Sequence, residues 1–437
     1  MCLALFWGAF NLSKISNVLA REVLDSRGNP TVEAEVHCHA AVRARAIAPS
    51  GASTGAFEAH ELRDQDQARY DGRGVQRAVR HVRDTIAPAL IGFDAADQAS
   101  VDRQLVRLDP SPQKTTLGGN AMLAVSLAVA HAGAATRGLP LYRHLWDLFH
   151  QIDSSAAPVR IPLPMINMIS GGLHAGGNLD FQDFMIVPSG AADLPTALEW
   201  SVRIYRRLGQ LLGDAGYEGR LIGDEGGFGP RLDSNAQAAE FVIRAIEAAG
   251  LTPARDVTLA IDVASTHFYD GRHYRLAATG DDRLTSSRLV DQLQSLVDRF
   301  PIASIEDGLA EDDWDGWREL TTRLGHRVRL IGDDLFTTNV VRLRQGIELG
   351  VANSILVKVN QIGTLSETFE TIKLARQAGY GYVISARSGE TEDTTIADLA
   401  VATAADHIKI GAIVRGERLA KYNQLLRINE EIGARGV

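Results

Sequence analysis

The sequence predicts an α/β protein: a barrel of parallel strands ringed by helices in the second half, after a first third of strands followed by helices. Three observations predict it. The chain has 437 residues, more than one core needs, since domains usually hold ~100–150 residues and barrels ~250. Two domains, one barrel-sized, fit that length. Short apolar runs recur at 184–187, 258–261, 302–305, 328–331, 354–357, 382–384 and 407–410. Strands buried on both faces of a parallel sheet read as such continuous runs. The last six are followed or closed by Asp262, Glu306, Asp333, Lys358, Arg387 and Lys409, spaced 44, 27, 25, 29 and 22 residues apart. A strand, a helix and two loops need roughly 30 residues. A doubly wound open sheet is the alternative, but the Gly-rich phosphate fingerprint it should carry after its first strand is not evident.

Taken in order, Met1 to Phe10 is apolar, has no basic residue before it and is too short to span a bilayer. It reads as a short extension or an upstream start codon, with a secretory signal as the alternative. Residues 31–39 alternate like a strand, with Val32, Ala34, Val36 and Cys38 on one face. His37 and His39 then face away from Cys38, and a surface pair is a plainer reading than a metal site. Residues 120–136 read as a buried helix that Gly138 can stop. Residues 153–158 resemble a linker. Trp314 and Trp317 share a helix face and read as packing residues.

Composition narrows the function. A net charge of −9 gives no general attraction to phosphate backbones, so nucleic acid is not an expected partner. No stretch approaches transmembrane length, and no membrane partner is expected. Two cysteines, Cys2 and Cys38, exclude a disulfide framework and make a reducing cytoplasm the simplest compartment.

In a barrel, catalytic groups sit at the C-terminal ends of strands. Asp262, Glu306 and Asp333 would then converge on one mouth. Three unpaired carboxylates repel each other and resist desolvation, and a divalent cation resolves that conflict. Oxygen-only ligands favour Mg²⁺ or Mn²⁺. Helix caps or surface ion pairs are the plainer alternative. Glu306-Asp307 and Asp333-Asp334 are doublets, and which member points inward stays open. Lysine is scarce, 6 residues against 45 basic residues in all, yet Lys358 and Lys409 both sit in or at the end of apolar runs. A desolvated lysine can lose its proton where an arginine cannot, so Lys358 is a candidate base with a lowered pKa. A lysine snorkelling at the barrel rim is the alternative. Three Gly-rich segments, 50–55, 171–177 and 223–229, each carry a reactive type among small residues and suggest a lidded site.

Together these motifs resemble enolase, from about Ile15 to about Gly433. The tracts AREVLDSRGNPTVE at 20–33, LVKVNQIGTLSE at 356–367 and RLAKYNQLLRI at 418–428 are long and specific. The resemblance implies an N-terminal extension (1–14), an α+β capping domain (15–152) and a catalytic enolase-type α/β barrel (153–437) whose first units depart from strict βα order. It implies loss of water from a 2-phosphoglycerate-like substrate with two Mg²⁺ per site. By motif position, Asp262, Glu306 and Asp333 match the first metal's ligands and Ser53 a ligand of the second. Lys358 matches the base at C2, and Glu225 the acid at the C3 hydroxyl. Asp183 stands at a third catalytic position, of unsettled action on the leaving group. Lys409 matches a carboxylate binder, Arg387 and Ser388 match phosphate binders, and His174 the loop histidine that closes over substrate. Enolase-superfamily sites are the type case for a Lys or His base beside Mg²⁺. A dimer or an assembly of dimers is also implied.

The sequence departs from the family pattern in four places. Ala386 replaces a histidine, Asp183 a glutamate, Gly308 a proline and Leu173 a serine. The first two shorten side chains expected in the pocket, beside Arg387 and Ser388. That predicts a bulkier phosphorylated or phosphonylated acid, such as 2-phosphonoformylglycerate. An enolase-like enzyme of phosphinothricin-type pathways dehydrates it to carboxyphosphonoenolpyruvate. Ordinary glycolytic enolase and a non-catalytic enolase-like binding protein are the alternatives.

Overall fold

Eight strands close into a barrel, and a three-stranded sheet with its helices lies across one end of it. The computed structural model describes residues 12–39, 41–51, 55–278 and 280–434. The N-terminal sheet is β1 (Ile15–Leu24), β2 (Pro30–Cys38) and β3 (Arg43–Ile47), all antiparallel. Val32, Ala34, Val36 and Cys38 of β2 are buried as their alternation predicts, and His37 pairs with Glu35 at 2.7 Å rather than with Cys38. After short helical segments between Tyr70 and Leu90 come three longer helices: α1 (Gln98–Leu108), α2 (Gly119–Thr136) and α3 (Leu141–Ile152). α2 is apolar on every side because it is buried on every side, against β2, β3 and the barrel. It stops at Thr136, two residues before Gly138, whose φ of 64° takes the chain out of the helix.

The barrel strands are β4 (Leu163–Ser170), β5 (Asp183–Val187), β6 (Thr258–Asp262), β7 (Ile302–Glu306), β8 (Arg329–Gly332), β9 (Ser354–Val357), β10 (Gly381–Ser385) and β11 (His407–Gly411), in ring order β8-β9-β10-β11-β4-β5-β6-β7. Each of the apolar runs from 184 to 410 lies in a strand, save that Val328 stands one residue before β8. Met165, Met185, Val187, Ala260, Ile331, Leu356 and Val383 fill the lumen as one cluster, so the barrel is a core and not a pore. The ring is not uniformly parallel, since β5 pairs antiparallel with both β4 and β6. Only 12 residues, 171–182, join β4 to β5. They hold one 3-10 turn, Gly172–Ala175, and no crossover helix, and the chain turns back. The reversal has a functional consequence. It brings the start of β5, Asp183, opposite the ends of β4 and β6, Ser170 and Asp262.

Polar staples join the two layers. Asp102 of α1 accepts from the Ser366 amide (2.9 Å) and hydroxyl (2.7 Å), and Lys114 pairs with Glu367 at 2.9 Å. Asp398 accepts from the Tyr142 amide (3.1 Å) and Gln424 (3.1 Å), and burial pushes its carboxyl up to about 7. Between about pH 4 and 7 the folded chain therefore keeps a proton that the unfolded chain has released. Asp398 subtracts stability as pH rises through that window. Asp398→Asn is expected to gain on the order of 1–3 kcal/mol relative to the parent between pH 5 and pH 8. Urea midpoints at both pH values check this; an equal offset at both would contradict it.

Trp317 is fully buried, as a packing residue should be, whereas Trp314 is half-buried under the Arg342 guanidinium. No single helix among the described residues is long and apolar enough to cross a membrane.

Candidate active site

The strand ends deliver the chemistry to one mouth. Asp262 and Glu306 close β6 and β7, and these two residues are register partners. Asp333 follows β8, Lys358 follows β9, Arg387 lies two residues past β10, and Lys409 sits within β11. All six are buried. A narrow cleft runs between them, lined by His174, Gln182, Glu225, Asp262, Lys358, the Ser385–Ala386–Arg387–Ser388 turn and Lys409.

Two lysines occupy the centre. The Lys409 ammonium donates to Asp262 Oδ2 (2.7 Å) and to both Glu306 oxygens (2.8 and 2.9 Å). The Lys358 ammonium donates to Asp333 Oδ2. Burial opposes the charge on both lysines, but the carboxylates outweigh it and hold both above the ordinary lysine range. For Lys358 this reverses the expected lowering, because Asp333 is its direct partner and the cationic neighbours Arg387 and Lys409 lie further down the order of influence. Gln182 donates to Asp262 (3.2 Å) and Gln361 to Asp333 (2.9 Å).

The doublets separate by role. Glu306 faces Lys409, while Asp307 turns away at φ 42° and accepts the Asp333 and Asp334 amides at 2.8 Å each. Asp307 therefore fixes the end of the neighbouring strand. Asp333 faces Lys358, and Asp334 beside it is pushed up to about 8 by burial and by the Asp333 charge.

The residues fit a hard divalent cation. Asp262, Glu306 and Asp333 offer only oxygen donors. Burial and the Asp262 charge drive Glu306 well above the usual carboxylate range. Asp262, Glu306 and Asp333 do not form the tightest acidic clusters. Among the described residues those are Asp307-Asp333-Asp334 and the histidine-containing His174-Asp183-Glu225, each with ligand atoms within 4.8 Å of one another. Lys409 and Lys358 lie among the three expected ligands instead. Ser53 lies outside the described residues.

At the other end of the cleft, Arg387 pairs with Glu58 (2.8 Å) and Asn360 (3.0 Å). Ser388 Oγ accepts from Arg27 (3.2 Å), and its carbonyl accepts from Arg418 (2.6 Å). Ala386 lines the cleft beside these anchors and Lys409. His174 is held at Nδ1 by Asp183 (2.8 Å) and turns Nε2 toward Glu225 (3.9 Å). Burial disfavours its charged form, but Asp183 and Glu225 outweigh that and push it up to about 9.

Glu58, Arg27, Gln182, Gln361 and Arg418 were not singled out by sequence reasoning. Arg27, Gln361 and Arg418 lie inside the specific tracts, so a signal existed without a role attached. Glu58 reaches Arg387 across 329 positions of chain, and nothing local announces it.

A barrel with proton-transfer groups and carboxylates converging at its strand ends defines an α/β-barrel enzyme of acid–base chemistry. Family models agree: one described as "Enolase, N-terminal domain" matches residues 15–145, and one described as "Enolase, C-terminal TIM barrel domain" matches 158–437. The chain belongs to the enolase family. It is a carbon–oxygen lyase of the enolase type, a Mg²⁺-dependent dehydratase of a small phosphorylated acid.

Proposed function

We propose that the chain removes the C2 proton and the C3 hydroxyl of a 2-phosphoglycerate-like acid, and that its substrate is the bulkier 2-phosphonoformylglycerate, giving carboxyphosphonoenolpyruvate in phosphonate antibiotic biosynthesis. Lys358 Nζ takes the proton. Glu225 protonates the departing hydroxyl, which leaves as water. Lys409 binds the substrate carboxylate, on which negative charge builds as the C–H bond breaks. Arg387 and Ser388 hold the phosphoryl end, and His174 closes over the substrate. Asp262, Glu306 and Asp333 hold one Mg²⁺, and Ser53 helps hold a second. When bound, Mg²⁺ would supply positive charge that stabilises the developing dianion and would offset the Asp333 charge, lowering the proton affinity of Lys358. The work is set in the cytoplasm, by a dimer or an assembly of dimers.

One observation carries the choice of substrate: Ala386 lines the cleft beside Arg387 and Ser388, where the family pattern has a histidine. The smaller side chain would leave space for an added carbonyl. Glycolytic enolase remains the second reading, because base, acid and carboxylates all line one mouth; the same fact weighs against a purely binding role.

Purified protein with Mg²⁺, given each substrate in turn, separates the readings by ultraviolet absorbance or phosphorus NMR. Fast turnover of 2-phosphoglycerate would reject the bulkier substrate, and turnover of neither would favour a binding protein. Ala386→His is expected to lower kcat/KM for the larger acid at least about tenfold more than for the smaller, about 1.4 kcal/mol of lost fit.

A further inference from the structure

Asp183 stands at the catalytic mouth yet contributes no atom to the cleft. Its side chain is fully buried, and both its oxygens are engaged. Oδ1 accepts from Asn167 Nδ2 and from Ser170 Oγ (3.2 Å), and Oδ2 meets His174 Nδ1 at 2.8 Å. All three partners come from β4 or the loop after it, against which the reversed β5 is paired. The ring so gripped has its other nitrogen turned to Glu225, 3.9 Å away. The two loops are also tied to each other, for the Asp224 amide donates to the His174 carbonyl at 3.1 Å. A side chain at Gly223 would meet that carbonyl at 2.5 Å.

We propose that Asp183 is a positioning residue: it does not touch the substrate but fixes the His174 ring so that Nε2 faces Glu225 and the cleft. The hydrogen bond made by one imidazole nitrogen decides what the other presents. A buried carboxylate behind a histidine acts in this way in hydrolytic triads, where it orients the imidazole and stabilises its charged form. Aspartate reaches Nδ1 from behind the ring and leaves the cleft to His174 and Glu225.

The rate arm of the test rests on the elimination reading; the spectroscopic arm does not. Nitrogen-15 NMR of histidine-labelled protein reads the His174 ring directly in the full chain. Asp183→Asn is expected to shift the Nδ1 resonance and to lower turnover about 10²–10⁴-fold. In a His174→Gln background the same change should cost under about threefold, since its effect passes through the ring. A further loss of about thirtyfold or more in that background, or an unchanged His174 spectrum in Asp183→Asn, would overturn the proposal. If Asp183→Asn does not fold, Asp183→Glu replaces it. That variant keeps the charge and should keep a charged, hydrogen-bonded His174; loss of that signature with the fold intact would also overturn it. Deuterium exchange at C2 by the parent protein tests the elimination reading separately. Its absence would sink that reading and leave the His174 spectrum to decide this one.

Discussion

Lys358→Ala is expected to lower turnover about 10²–10⁴-fold, the usual worth of a positioned general base, and to abolish exchange of the substrate's C2 hydrogen with deuterated solvent. Lys358 is the first residue past β9, and its amide is held at 2.9 Å by Thr338 Oγ1. Both fix where its ammonium lies. Lys358→Arg should not rescue, because a guanidinium keeps its proton at any working pH. Asp333 keeps the Gln361 bond at 2.9 Å in either variant, so circular dichroism should stay near that of the parent. The sign of the pH effect also follows. Asp333 holds Lys358 protonated in the metal-free chain, so activity should rise with pH until the lysine is deprotonated. That limb should move to lower pH as Mg²⁺ increases. Full C2 exchange by Lys358→Ala would remove Lys358 from the role of base.

Glu306→Gln should raise the Mg²⁺ needed for half-maximal activity at least about 10²-fold, since loss of supporting groups around a metal already costs 10–100-fold. Glu306 meets Lys409 with both oxygens, and Asp262 meets it with one. The amide keeps the shape of Glu306 but removes its charge, leaving Lys409 a single anionic partner there. Calorimetric titration of Mg²⁺ into the chelator-treated protein reads the metal site without relying on turnover. An unchanged titration would show that the cation sits elsewhere, the Asp307-Asp333-Asp334 cluster being the next donor set.

Much of the fold was legible because its signal is local. A strand buried on both faces must be apolar along its length, so each run between 184 and 410 announced a barrel strand. The polar residue closing it announced the mouth. The direction of β5 was not legible from its own five residues, which read alike either way; it goes with a connection that holds no crossover helix. Scarcity made Lys358 and Lys409 visible. Their charge state was not visible, since it depends on Asp333, Asp262 and Glu306 lying within hydrogen-bond reach. Glu58 and Arg27 escaped notice for the same reason: each acts on the Arg387–Ser388 turn from more than 300 positions away.

By itself the sequence determined the α/β barrel, the enolase kinship and the identity of the groups that face the mouth, because periodicity and motif are properties of neighbouring residues. Only the tertiary structure decided that Glu306 rather than Asp307 turns inward, that Asp183 grips His174, and that each central lysine is locked to a carboxylate. Those outcomes depend on distances between strands remote in the chain, and charge in a buried site is set by whatever lies across the gap.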